Sequence, residues 1–168
     1  MENYDDLDNK YLIAVFKKHL YRLESKGFRS KEYLPIDNKM SLKLEYSGPL
    51  IIEIVREFRC NVYMDISPIN LKEREETFTL SQLVFTLSNR REYLGDIFNN
   101  IGCYYLDYEE NIQKICDSLF KYYESIVDNL RPENLATLKK KLEKDEVQYL
   151  IRSRVYPPGY DPNRESGL

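Results

Sequence analysis

The 168-residue chain has one histidine, no tryptophan, three cysteines and six glycines, and each shortage closes off a class of chemistry. Histidine is the commonest acid–base group at neutral pH and the commonest metal ligand. His19 stands alone, so no second imidazole exists to share a metal, and its place on an apolar helix stripe reads as a core-edge position. Cys60, Cys103 and Cys116 are odd in number and far apart, which fits neither a disulfide framework nor a C-x-x-C site. They read as small buried hydrophobes. The few glycines form neither a G-x-G-x-x-G nor a G-x-x-x-x-G-K-S/T phosphate loop, and G-x-S-x-G and H-E-x-x-H are also missing. No cofactor and no metal are therefore expected. No unbroken apolar run approaches the about 20 residues that span a bilayer. The start, Met1-Glu2-Asn3-Tyr4-Asp5-Asp6, is acidic where a signal peptide needs positive charge, so the expected location is cytoplasmic. A basic surplus is lacking as well. Lys and Arg total 25 against 28 Asp and Glu, a net charge of −3, which argues against nucleic acid and suits a basic partner.

Tyrosine is abundant instead, with fifteen copies. Tyrosine offers large, rigid contact area with a polar tip and is enriched where proteins bind proteins. An AT-rich genome would raise Tyr, Asn, Lys and Ile together and account for part of the excess. The 42% hydrophobic and 32% charged content is that of a globular protein, and the length suits one domain, expected over residues 1–156. Residues 157–168, through Pro157-Pro158-Gly159, carry no core pattern and read as a tail.

The periodicity predicts an α+β fold. Leu12, Val15, Phe16, His19, Leu20 and Leu23 recur at helical steps over residues 6–26, and Lys26-Gly27 stops the helix with Phe28 folding back on its stripe. The period then changes to two. Met40, Leu42, Leu44 and Tyr46 form one inward strand face; Leu50, Ile52 and Ile54 form a second, and Val62, Met64 and Ile66 a third. Pro68 stops the last strand. The result is an antiparallel meander of three to four strands covered by the N-terminal helix. Arg56 falls inward by parity and marks a bulge or the edge of the covered area. A helical C-terminal half follows. Thr79-Leu80-Ser81-Gln82 is a capping box, with the Thr hydroxyl and the Gln amide satisfying free N–H groups. A helical piece is expected near 91–100, and Cys103 to Leu106 is expected to be extended. Asp107 caps a long helix striped by Ile112, Ile115, Cys116, Leu119, Tyr123, Ile126 and Leu130. Pro132 opens the last helix, with Leu135, Leu138, Leu142, Leu150 and Ile151 on its buried side.

Candidate partner-binding residues fall in two places. Glu45, Glu53, Glu57 and Asp65 share the outward face of the meander with Tyr63 and Val55. That face reads as a docking patch for a cationic partner, as a hard-cation site, or as a solvated surface offset by Lys43 and nearby arginines. Tyr104-Tyr105 precede the long helix in a loop, where binding residues concentrate. Tyr11, Tyr46, Tyr123 and Tyr149 lie on or beside apolar stripes and read as core or core edge. Lys139-Lys140-Lys141, with Lys144 amid Glu143, Asp145 and Glu146, reads as the solvated outer face of a helix.

The order of elements resembles a known group. A helix ends at Lys26-Gly27-Phe28, then come Leu42-Lys43-Leu44-Glu45-Tyr46, Leu50–Phe58, Val62–Ile66, the capped Phe78-Thr79-Leu80-Ser81-Gln82-Leu83, and a long helix after an acidic Tyr-Glu-Glu. Over about residues 11–130 this layout is similar to small bacterial α+β immunity proteins of polymorphic or contact-dependent toxin systems. The resemblance implies a cytosolic, non-enzymatic protein that binds and occludes a cognate protein toxin. It transfers no functional residue, and the region after Pro132 lies outside it. Two other classes stay open. One is a small enzyme using carboxylate or tyrosine groups, and the other an RNA-associated protein using the basic C-terminal region.

Overall fold

A computed structural model of the chain describes residues 4–33, 42–57, 61–69, 76–103 and 108–154. Helix α1 (Tyr4–Leu20) and the one-turn α2 (Arg22–Ser25) lead into strands β1 (Arg29–Tyr33), β2 (Leu42–Ser47), β3 (Leu50–Glu57), β4 (Asn61–Pro68) and β5 (Phe78–Thr79). Helices α3 (Leu80–Leu87), α4 (Gly95–Cys103), α5 (Tyr108–Asn129) and α6 (Pro132–Arg152) follow. The sheet is antiparallel throughout, and its strands lie in sequence order.

The first helical segment ends as its sequence demands. Gly27 takes φ +86°, a conformation that costs glycine nothing. Its N–H donates to the Glu24 carbonyl and that of Phe28 to the Leu23 carbonyl, the paired bonds of a Schellman stop. Phe28 is thereby turned into the core, where its ring meets Tyr123 of α5 edge-on at 6.2 Å.

The two-residue alternation puts Leu42, Leu44, Tyr46, Ile52, Ile54, Val62, Met64 and Ile66 on one buried face. Helix α1 does not cover that face alone. Its Leu12, Phe16 and Leu20 share one continuous core with Leu83 of α3, Phe98 of α4, and Ile112, Leu119 and Ile126 of α5. Each fully buried residue of this size is worth about 1.5–3 kcal/mol in area removed from water. Arg56 also faces inward, buried, but with no bulge: its register to Leu42 and Val62 is regular. Its guanidinium donates to Asn9 Oδ1 at 2.7 Å, which gives a buried cation a buried acceptor.

Several expectations need correction. Among the described residues the sheet has five strands, not three or four. The overlooked β1 is exposed at every position, so it carries no alternation to read, and β5 is only two residues long. Helix α4 begins at Gly95 and runs through Cys103, later than expected. The α6 stripe is weaker than its sequence suggests: Leu135 and Leu138 are buried, but Leu142, Leu150 and Ile151 are half-buried. Tyr11 is half-exposed rather than core, whereas Tyr46 and Tyr123 are buried. His19 is a structural contact between α1 and α5, its Nε2 3.5 Å from Glu109 Oε1. Cys116 is buried, and burial pushes its thiol pKa far up. The expected Asp107 cap and the 157–168 tail lie outside the described residues.

Candidate functional site

The residues that alternate away from the core line up across the strands. Glu45 faces Glu53, Glu53 faces Asp65, and Asp65 faces Thr79. The neighbouring row runs Tyr33, Lys43, Val55, Tyr63. Side chains directly opposite on adjacent strands stand about 5 Å apart at Cβ, so three aligned carboxylates repel one another. Lys43 relieves that repulsion. Its ammonium pairs with Glu53 Oε1 and lies 3.7 Å from Glu45 Oε2. Glu45 also accepts hydrogen bonds from Ser47 Oγ at 2.7 Å and Tyr33 OH at 3.4 Å.

These contacts set the charges. Burial alone would raise the Glu45 pKa, but the Ser47 hydroxyl, Lys43 and Tyr33 outweigh it and hold the carboxyl below its ordinary value. Burial would likewise lower the Lys43 pKa, and Glu53 and Glu45 reverse it into a rise. Lys31 and Lys43 lie 4.7 and 5.2 Å from the Tyr33 ring centre, so β1 supplies an aromatic seat for both cations. Glu45, Glu53, Val55, Tyr63 and Asp65 are all half-buried and lie outside the contiguous apolar core. The far end of the face is more enclosed, with Ile51 and Ser67 buried and Ser67 Oγ 3.1 Å from Thr77 Oγ1.

Sequence reasoning grouped Glu45, Glu53, Tyr63 and Asp65, and the fold brings these four together. Glu57 takes the register position opposite Asn61, on the same parity. Tyr104 and Tyr105 lie outside the described residues. Among the described residues, no group of three or more His, Cys, Asp or Glu is placed to hold a metal ion. No helix among them is long and apolar enough to cross a membrane.

Past Tyr63 the open face meets a cleft of about 320 Å³ between β4, the starts of α3 and α4, and the end of α6. Tyr93 and Tyr149 line it; Tyr149, expected as core or core edge, is half-buried, and Tyr93 had no expected role. The rings of Phe85, Tyr93 and Tyr149 form an edge-on trio with centres 5.5–6.4 Å apart. Tyr149 OH donates to Ser81 Oγ at 3.0 Å, and Tyr93 OH to Ser153 Oγ at 2.8 Å. These bonds fasten the end of α6 to α3 and to the segment before α4, where apolar burial is thin. Arg90 reinforces the seam, its Nε and Nη2 lying 2.7 and 2.6 Å from Asp145 Oδ1. Lys139 pairs with Glu76, whereas Lys140 and Lys141 are exposed.

No protein-family model, curated protein or solved structure matches this chain. The reading of the site therefore rests on its own residues. A carboxylate–phenol pair does occur at Glu92, which accepts from Tyr122 OH at 2.7 Å and pairs with Lys121. The hydrogen bonds from Lys121 and Tyr122 hold the Glu92 pKa below its ordinary value. The phenols of Tyr46, Tyr93, Tyr122 and Tyr123 are all pushed up, each chiefly by burial. A general base or nucleophile needs the opposite shift.

Proposed function

We propose that this is a protein-binding protein whose open sheet face docks a basic surface of its partner, and that the partner is a toxin it neutralises by occlusion. The observation that carries the reading is the aligned row Glu45, Glu53, Asp65 beside Val55 and Tyr63. A patch with aligned charge flanked by aromatic and apolar area has the parts of a binding hot spot. Lys43 bridges two members of the row, Glu45 and Glu53. A basic partner group arriving at the face competes with Lys43 for the same carboxylates. The toxin part of the proposal draws on the immunity-protein layout, and the upward-shifted phenols weigh against the enzymatic alternative.

Co-expression with the product of the adjacent reading frame tests the proposal. The wild-type chain should protect the cell and co-purify with that product. The variant Glu45→Lys/Glu53→Lys/Asp65→Lys, shown to be folded by circular dichroism, should lose both effects. A neighbour that is neither toxic nor bound removes the toxin assignment. A reversed face that still binds the partner removes the docking assignment.

A further inference from the structure

The cleft beside β4 has a lining unlike the sheet face. Tyr63, Tyr93, Phe98 and Tyr149 line it, together with Met64 of β4. Among the described residues no Asp, Glu, Lys or Arg lines it, although the Arg152 guanidinium lies 5.9 Å from the Tyr93 ring centre. At about 320 Å³ it reaches the size range of small-molecule sites, which are mostly apolar with a few convergent polar groups. Helix α4 packs close along β4 here, with Gly95 and Phe98 at the cleft. The strand edge is thus already attended by a helix, and the opening suits a compact ligand better than an added strand.

The hydrogen bonds already made within the cleft narrow the ligand. Tyr93 OH donates to Ser153 Oγ, and Ser153 Oγ passes its own proton to the Tyr149 carbonyl at 2.9 Å. Tyr149 OH donates to Ser81 Oγ. Both phenol protons are therefore spent, while both phenol oxygens keep acceptor lone pairs. Ser81 is buried, and its hydroxyl receives rather than gives in this bond, which leaves its proton to offer. The cleft thus presents acceptors for N–H or O–H groups, one hydroxyl donor, and ring faces and edges for a flat body. A charged ligand would lose hydration there and find no charged group among the described lining residues to face it.

We propose that this cleft is a binding site for a small, uncharged, planar ligand bearing N–H or O–H donors, of the aryl-amide or neutral heteroaromatic class. It does not depend on the docking role of the sheet face, although Tyr63 borders both. The site lies between elements distant in sequence, so occupancy ties the end of α6 to α3, α4 and the sheet.

Benzamide titrated into the full-length ¹⁵N-labelled protein is the test, with benzoate and benzylamine as charged counterparts of similar shape. Saturable shifts confined to residues around Tyr63, Gly95, Phe98 and Ser153 are expected for benzamide. Each charged analogue should bind at least about tenfold more weakly, as loss of uncompensated hydration requires. Tyr63→Ala removes one lining ring from a half-buried strand position outside the α6 seam, and should weaken benzamide about three- to tenfold. Tyr149→Phe keeps the ring and removes one acceptor, and should weaken benzamide but leave toluene unaffected. Absence of saturation by benzamide up to its solubility overturns the proposal. So does equal binding of benzoate, or shifts that map elsewhere. A Glu45→Lys/Glu53→Lys/Asp65→Lys protein should bind benzamide normally, which separates this site from the docking face.

Discussion

Gly48 sits in the β2–β3 turn, where its N–H donates to the Leu50 carbonyl at 2.9 Å. A Cβ placed on it would fall 2.7 Å from Phe28 Cγ, 2.8 Å from Cδ1 and 3.0 Å from Cδ2. Carbon atoms prefer about 3.5–4.0 Å, so Gly48→Ala forces the ring or the turn to move by close to 1 Å. The struck atom is the root of the ring, next to the backbone, and the ring is buried against Tyr123. Overpacking of this kind costs about 1–3 kcal/mol. Phe28→Ala removes the three atoms nearest the new methyl, and alone costs about 3–5 kcal/mol through the cavity it leaves. The two changes should therefore not add. The double variant should be about as stable as Phe28→Ala, a coupling of roughly 1–3 kcal/mol in favour of the pair. Urea unfolding followed at 222 nm reads all four proteins, with unchanged m-values as the check on two-state behaviour. Additivity within about 0.5 kcal/mol would show that the turn and the ring are not in contact, and the packing described for the α2–β1 junction would fall with it.

Two further outcomes follow from local chemistry. Thr79 Oγ1 accepts from the Gln82 N–H at 3.3 Å, so Thr79→Ala should cost about 1 kcal/mol in urea unfolding, while Thr79→Ser should cost far less. Glu92 has a lowered folded-state pKa, so its contribution is present above the ordinary carboxylate value and is lost as pH falls through the folded value. Carboxyl NMR titration should find Glu92 below its usual range, and Tyr122→Phe should raise it by removing one donor; an unmoved titration would mean that the phenol does not hold the carboxylate.

Legibility followed covering. Where one face of an element is buried and the other wet, the pattern was written in single residues: Leu42-Lys43-Leu44-Glu45-Tyr46 in β2, or the Ile112–Leu130 stripe of α5. The row Glu45, Glu53, Asp65 could be grouped because parity is conserved along each strand, although Lys43's role between two of its members depends on register. Strand β1 was illegible because Arg29-Ser30-Lys31-Glu32-Tyr33 is exposed on both sides, and only pairing with β2 makes it a strand. The capping residues Thr79 and Gln82 were readable, but the bond between them was not foreseen: the Thr79 hydroxyl lies 3.1 Å from Gln82 Oε1 and donates to it. The cleft had no local signature at all. Tyr63, Tyr93 and Tyr149 are separated by long stretches of chain, and nothing in the spacing of single tyrosines says which ones will meet.

The strictly sequential strand order has a consequence for synthesis. Each strand, as it leaves the ribosome, finds its partner already made, so the sheet can grow from one edge without waiting for distant chain. The helix α5 that closes the core arrives much later. Between Ile66 of β4 and Ile112 of α5 the ribosome needs roughly 2–9 s at ordinary elongation rates. Throughout that interval Ile52, Ile54, Met64 and Ile66 form a paired but incompletely roofed apolar plate, the part of the nascent chain most exposed to chaperone capture and to self-association.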